Sequence, residues 1–503
     1  MTMQPPPPRR EPLPGAGPVS APTSAIEANG INVIDESERK GTPRSLFWPW
    51  CASNISVFGV AYGAYFLDFG VSFWQALVAG LLGTVLSFLL VGIVSIAGKR
   101  GSAPTMVLSR AAFGIRGNAL PAAVSYVLLV GWETVLVALA ALASATVITE
   151  LGGGGGDGAR ILGFALTAVV VIVAGILGFD TIMRLQRWIT IATAVLTVGY
   201  VALTIDHVDW DAVTSLPSGG AAAVIGLAVF ATAGFGISWV NSGADYSRYL
   251  PRTAPAGGVV FWTTVGGAIA PVFLVLYGLL LAGSDPALFA ALNADPIGTL
   301  VTLLPTWYLV PFFLVALAGL VGGAVLDIYS SGLALLTLGL KTPRWVAAAI
   351  DGVIMVVGAI YFLWFADDFF GPFQAFLITL AVPIAAWAGI FVADLALRRR
   401  DYAALDLYDP RGRYGAWNVA TVAWFALAVF VGWGMVTKAW NAPDWLGWLG
   451  YLLEPLGLGG RKGEWALANL GVVAALVIGF LGYLLTGRRQ VARQEAERSV
   501  RAR

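Results

Sequence analysis

The stretch YVLLVGWETVLVALAALA, which begins at Tyr126, carries one carboxylate, Glu133, among residues apolar enough to lie in hydrocarbon. A second, Asp327, stands in AVLDIYSSGLALLTLGLK. An ionisable side chain at the centre of a membrane-spanning helix costs about 2.5–3.5 kcal/mol even on insertion-based scales, so acids kept there are candidates for solute, ion or proton work. A carboxylate accepts two N–H bonds from a polar solute, and once protonated it donates one. The plain alternative for either acid is a hydrogen bond to a neighbouring helix.

Composition places these acids in a bilayer. The chain is 58% hydrophobic and 12% charged, with 19 Trp and 61 Gly, whereas soluble domains carry charge at about 25%. Mean hydropathy is +0.79. A net charge of +1 gives no argument for a nucleic-acid partner, and Cys51, the single cysteine, forms no intrachain disulfide. The first 44 residues, with PPPPRREPLPGAGP, are too rich in Pro and too poor in apolar residues to pack, and they predict a disordered tail. No signal peptide is read ahead of the first apolar span.

From residue 45 onward, apolar stretches of about twenty residues recur between short polar connections, the length a bilayer requires. They predict twelve helices, at about 45–67, 72–97, 119–149, 160–179, 184–205, 221–241, 258–283, 305–340, 345–366, 370–397, 416–437 and 466–486. WLGWLGYLLEPLGLGG, from Trp445, is broken by Pro455 and glycines and reads as an interfacial or re-entrant piece. With a cytoplasmic N-terminus, only Arg160, Lys438, Arg461 and Lys462 of the 30 basic residues fall outside. The positive-inside rule therefore supports twelve spans with both termini cytoplasmic; the expected location is the plasma membrane. The outer loops DHVDWDAV and ADD are acidic by contrast.

Depth singles out the two acids. Glu133 lies fourteen residues from the inner end of its span, and Asp327 fourteen residues before Lys341. At about 1.5 Å per residue, both come near the bilayer midplane. Asp180, Asp245, Asp351 and Asp394 lie nearer the inner ends, where pairing with Arg or capping a helix is the expected role. Spans 1 and 6 also look interrupted, as WCASNISVFGVAYGAYF and FATAGFGISWVNSGADY, by glycines and small polar residues. Interrupted helices at matching positions of two halves mark a transporter's solute site, because unwound backbone offers free N–H and C=O groups. The breaks are expected near Asn54 to Gly59 and Gly234 to Gly236. Their spacing of five spans predicts inverted repeats over 45–205 and 221–397, two extra helices over 416–486, and a basic tail over 487–503. Close helix packing is the competing explanation for such glycines.

The ordered series FWQALVAGLLGTVLS, SRAAFGIRGNALPA, VGW, NSGADYSRYLP, DIYSSGLALLTLGL and VADLALRRRDY resembles the nucleobase:cation symporter family, in its purine and cytosine permease branch, over about 42–414. The resemblance implies an all-α integral membrane protein of LeuT type, five plus five inverted helices followed by two C-terminal ones. It implies a solute site between spans 1, 3, 6 and 8. Trp132 matches the family's span 3 tryptophan, and Phe235, adjoining Gly236, falls nearest its span 6 aromatic. Stacking on such rings is worth about 1–3 kcal/mol per base. Glu133, Asp327 and Asn54, with Ser53 and Ser56 in reserve, are the candidates for the rim of the base, and Gly234 and Gly236 for backbone contacts. Where the family carries a polar residue one turn after Trp132, this chain has Leu136.

The implied activity is cation-coupled uptake of a nucleobase, purine or cytosine-like, by alternating access. Sodium in this fold is held by span 1 carbonyls and span 8 hydroxyls, yet the matching residues here are Val321, Gly322 and Gly323. That departure points to a proton, H+, carried by Glu133 or Asp327. A sodium (Na+) site built from Ser53, Asn54, Ser56 and carbonyls is the alternative, as is another solute such as an amino acid, hydantoin, allantoin or vitamin-like molecule. A channel would show a filter, and none is visible. An enzyme would need a metal or nucleophile cluster, and the single histidine, His207, lies in an outer loop. The expectation is no cofactor, no metal and no obligate protein partner beyond the lipid bilayer.

Overall fold

The computed structural model describes residues 29–496 apart from 155, 177–178, 367–368 and 439–442. The first part of the expected N-terminal tail, the acidic pair Asp367 and Asp368, and residues 497–503 lie outside the described residues. Among the described residues the chain is helices, 3-10 turns and loops, without a strand.

The helices that frame the centre are α1 (Phe47–Ala52), α2 (Phe58–Ala64), α3 (Phe73–Gly101), α4 (Ala119–Glu150), α5 (Asp157–Ile176), α6 (Phe179–Thr204), α7 (Ala221–Thr232), α8 (Ala256–Ser284), α9 (Thr306–Thr337), α10 (Arg344–Trp364), α11 (Phe370–Leu397), α12 (Val419–Gly434) and α13 (Leu470–Ala496). Nine helices among the described residues are long and apolar enough to cross a membrane. The expected spans at 45–67, 160–179 and 416–437 fall on the pair α1 and α2, on α5 and on the 16-residue α12.

Local chemistry sets the helix ends. A capping box opens α3, with the Ser72 hydroxyl accepting from the Gln75 N–H and the Gln75 side chain accepting from the Ser72 N–H. At its other end Ser102 takes a left-handed conformation, φ 55°. Long, evenly apolar helices then pack lengthwise, α3 on α8, α4 on α9 and α11 on α13. Lipid supplies no hydrophobic drive between helices, so small residues at the crossings decide how closely they approach. Gly63 of α2 and Gly278 of α8 form a reciprocal pair. A Cβ on Gly278 would stand 1.7 Å from the Val60 carbonyl oxygen, and one on Gly63 would stand 2.1 Å from that of Val275.

Two expected tails are shorter than composition implies. Residues 29–44 run across one end of the bundle: the Ile34 N–H donates to the Ser102 carbonyl at 2.9 Å and the Lys40 N–H to that of Tyr249 at 2.8 Å. Buried Arg39 donates to the carbonyls of Leu250 and Lys99. Low apolar content does not prevent this packing, because the segment is held by helix-end carbonyls that need donors. At the other terminus α13 continues to Ala496. Residues 443–468 form turns and short 3-10 segments against the end of α12, and no long helix.

Gly278→Val drives two methyl groups into the α2 backbone, and overpacking of this kind costs about 1–3 kcal/mol or more. Its melting temperature in detergent, read by fluorescence size-exclusion, is expected to fall sharply. Gly257→Ala, with nothing within 4 Å of the added carbon, is expected to match the wild type.

Candidate substrate and coupling site

Both expected interruptions exist, each in its own form. Span 1 stops at Ala52 and resumes at Phe58. Gly59, expected in the break, is already inside α2. Span 6 does not unwind at Gly234 to Gly236. It widens into a π-turn over Ala233–Ile237, followed by a 3-10 turn over Val240–Ser242. The freed polar groups find partners inside the protein, as hydrocarbon demands. The Gly236 N–H donates to the Ser87 hydroxyl of α3 at 2.9 Å, and the Ser238 hydroxyl donates to the Ala233 carbonyl at 2.7 Å.

This accounting changes the role of several expected ligands. Asn54 Nδ2 donates to the Trp50 carbonyl at 2.9 Å, and Ser53 Oγ donates to the same carbonyl at 3.1 Å. Ser56 Oγ accepts from the Phe58 N–H at 3.3 Å. Thus Ser53 and Asn54 end one half-helix and Ser56 begins the next. Gly234 and Gly236 are packing residues, since a Cβ would fall 1.8 Å from the Tyr62 hydroxyl in the first case and 2.1 Å from the Ser87 carbonyl carbon in the second.

The span 1 break lies directly on a glycine face of α9. A Cβ on Gly319 would meet the Ile55 carbonyl oxygen at 2.9 Å, one on Gly322 the Ala52 carbonyl oxygen at 3.4 Å, and one on Gly323 that of Ser53 at 3.5 Å. Gln186 of α6 reaches the same place and donates from Nε2 to the Gly322 carbonyl at 2.8 Å. Sequence reasoning missed Gln186, which sits one residue from Arg187 and reads as part of a basic helix end.

Trp132 and Phe235 are 9% and 7% exposed. They meet through other rings. Trp132 packs edge-on against Phe373 of α11 at 5.6 Å, Phe373 lies 6.2 Å from Tyr62 of α2, and Tyr62 lies 4.9 Å from Phe235 and stacks on Phe230 at 4.8 Å. Edge-to-face and offset pairs of this kind add about 0.5–1.5 kcal/mol each beyond their buried area. Tyr62 and Phe373 escaped the sequence reading because, in a chain this aromatic, a ring carries no mark of its neighbours. The Trp132 indole N–H is buried without a partner among the described residues.

The acids behave differently from one another. Asp327 is 1% exposed, and neither of its oxygens has a partner among the described residues. Glu133 is fully buried and accepts at Oε1 from Ser331 of α9 at 2.7 Å, while its Oε2 is unpartnered. Asp351 of α10 joins this cluster: Ser331 Oγ stands 2.9 Å from its Oδ2 and the Tyr126 hydroxyl 2.7 Å from its Oδ1. Asp351 therefore departs from the expected pairing with Arg or capping of a helix. Its partners come from α4 and α9, which no local spacing reveals. Asp394 and Asp245 do follow that expectation. Asp394 binds Arg398 at 2.7 Å, and Asp245 accepts from the Thr105 N–H at 2.8 Å. Asp180 lies outside the described side chains.

A bundle of apolar helices, two of them interrupted around buried acids and rings, defines a membrane transporter of the LeuT-type fold. Solved structures carry the same arrangement. Mhp1, described as a nucleobase-cation-symport-1 family transporter in a closed conformation with bromovinylhydantoin bound, aligns at TM-score 0.67 and 20% identity over 94% of this chain and 99% of that one. A Na+-coupled sialic acid symporter aligns at TM-score 0.59 and 14% identity, over 93% and 92% of the two chains. In sequence, YxlA of Bacillus subtilis (strain 168), named as a candidate purine-cytosine permease, is 25% identical over 417 residues, 81% of this chain and 87% of its own. The purine-cytosine permease FCY2 of Saccharomyces cerevisiae (strain ATCC 204508 / S288c) is 22% identical over 278 residues, 54% of this chain and 49% of its own. The chain belongs to the family of permeases for cytosine/purines, uracil, thiamine and allantoin, whose pattern matches residues 33–450.

Two buried aspartates then separate by partner. Asp327→Asn removes no hydrogen bond formed among the described residues and is expected to leave the melting temperature unchanged. Asp394→Asn strips Arg398 of its carboxylate, and breaking a buried pair costs about 3–5 kcal/mol. A thermal-shift comparison of the two variants checks this.

Proposed function

We propose that this protein imports a nucleobase, purine or cytosine-like, by proton symport across the plasma membrane, with both termini in the cytoplasm, through alternating access about a midplane site. The features that carry the reading are the ring shell that joins Trp132 to Phe235 through Phe373 and Tyr62, beside the π-turn of span 6, and Asp327, a buried acid without a partner among the described residues. A flat base needs apolar faces and a few aimed polar groups at its edge. Trp132 and Phe235 supply the faces in this reading. Asp327 and the Oε2 of Glu133, without partners among the described residues, accept from ring N–H and amino groups in this reading, while Asn54, expected at the rim, is engaged at the end of its half-helix. Family membership supports a small heterocycle, and the names of YxlA and FCY2 favour purines and cytosine.

The coupling assignment rests on the α9 face. A hard cation takes several oxygen ligands. Val321, Gly322 and Gly323 offer no side-chain oxygen, the side chains of Ser53, Asn54 and Ser56 are engaged by helix ends, and the Gln186 amide N–H occupies the Gly322 carbonyl. A proton requires only a buried acid, which Glu133 and Asp327 provide.

Uptake of radiolabelled nucleobases, nucleosides, allantoin, hydantoin and amino acids into proteoliposomes tests the substrate. A purine or cytosine is expected to accumulate, and Trp132→Ala to abolish its binding while Trp132→Phe retains part. Accumulation of an amino acid alone would overturn the reading. Imposed gradients test the ion. An inward proton gradient is expected to drive uptake without sodium, and drive by sodium alone at clamped pH would reverse the assignment.

A further inference from the structure

Ser331 stands between two buried carboxylates, with Oγ 2.7 Å from Glu133 Oε1 and 2.9 Å from Asp351 Oδ2. A serine hydroxyl has one hydrogen and fills one of these contacts. The other needs a hydrogen from a carboxyl group. Tyr126 does not supply it, because its hydroxyl faces Asp351 Oδ1. With both acids ionised, one oxygen pair would meet lone pair to lone pair at hydrogen-bond distance. No cation relieves this: among the described residues neither acid forms an ion pair. The titratable groups that face the two are Tyr126 from α4 and Asp327 from α9, with none from α5 or α11 among the described residues.

We propose that Glu133 and Asp351 share one proton through Ser331, and that this pair is the proton-carrying site of the transporter, exchanging with water at Tyr126. The proposal rests on the proton-coupled reading above. Position supports the direction of the path. Tyr126 is half-buried and lies seven residues before Glu133, about 10 Å nearer the basic loop that precedes α4. Asp351 likewise lies one to two turns from the start of α10 at Arg344. Asp327 precedes Ser331 by one helical turn on α9, so the far end of the path lies beside the acid assigned to the substrate.

The transfer balances without an added reagent. The Glu133 carboxyl O–H donates to Ser331 Oγ while the Ser331 hydrogen points at Asp351. As that hydrogen passes to Asp351 Oδ2, the Glu133 proton passes to Oγ, one O–H bond forming for each that breaks. Glu133 is left as the carboxylate, Ser331 as a hydroxyl, and Asp351 as the acid that gives its proton to water beside Tyr126.

The full-length protein in lipid tests this in two ways. In infrared spectra at neutral pH, the carbonyl stretch of a protonated carboxyl is expected in the wild type and reduced in both Glu133→Gln and Asp351→Asn. A band that neither variant alters would overturn the shared proton. In proteoliposomes with radiolabelled cytosine or adenine, whichever the wild type takes up, Ser331→Ala and Asp351→Asn are expected to lose proton-driven accumulation by at least about tenfold, within the range of coupling between linked sites. Base exchange without a gradient should remain near wild type, and Ser331→Thr, which keeps the hydroxyl, should retain accumulation. Wild-type accumulation in Ser331→Ala and Asp351→Asn would overturn the proposal even if transport is proton-driven. A wild type indifferent to the proton gradient would instead defeat the coupling reading and with it the carrier role, leaving the infrared comparison to decide the shared proton. If these variants fail to insert, Tyr126→Phe replaces them in the transport assay, with slower proton-driven uptake expected and an unchanged rate counting against the path.

Discussion

A backbone that leaves the helix inside hydrocarbon must find every hydrogen bond within the protein, and the centre of this molecule is organised by that requirement. At the span 1 break the work is done by Ser53, Asn54 and Ser56, whose side chains end α1 and begin α2. At span 6 the helix widens instead of opening, and the displaced groups are taken by Ser87 and Ser238. The small polar residues that make these spans look interrupted in sequence are, in the structure, the groups that let the interruption exist.

The break needs room as well as partners. The unwound carbonyls of span 1 lie against Gly319, Gly322 and Gly323, positions where any side chain would meet backbone or Gln186. Closeness and chemistry are linked there: the same absence of side chains that admits the bent backbone removes the hydroxyls a hard cation would use. Gln186 donates its amide N–H to the Gly322 carbonyl there, and its own Oε1 has no partner among the described residues. The two helix breaks thereby bring Tyr62 and Phe235 into one ring shell, joined through Phe373 to Trp132.

Buried acids in this molecule divide by what compensates them. Asp394 has Arg398 and the Tyr483 hydroxyl, Asp245 has Thr105, and both are parts of the scaffold. Glu133, Asp351 and Asp327 have no cation partner among the described residues. Retaining uncompensated acids in a bilayer costs stability that packing alone would not require, which is why they, and not the paired acids, are the candidates for function.

Much of this was legible without coordinates, and the division follows from physics. Hydropathy places the long apolar helices, because the cost of exposing polar groups to lipid is local and additive along the chain, while their ends, such as the run of the last helix on to Ala496, follow from packing. The depth of Glu133 and Asp327 follows from the same count, and glycines and small polar residues mark interruptions near Asn54 to Gly59 and Gly234 to Gly236, where span 1 stops between Ala52 and Phe58 and span 6 widens into a π-turn. Partnership is not local. Asp351 lies 218 positions from Glu133 in the sequence, and only the meeting of α4, α9 and α10 puts Ser331 between them. Arg39 reads as part of a disordered tail until helix-end carbonyls are brought within its reach. The sequence by itself determined which groups are too expensive to bury idly. Tertiary structure decided which of them meet, because hydrogen bonds act over about 3 Å and helix packing alone brings distant residues that close.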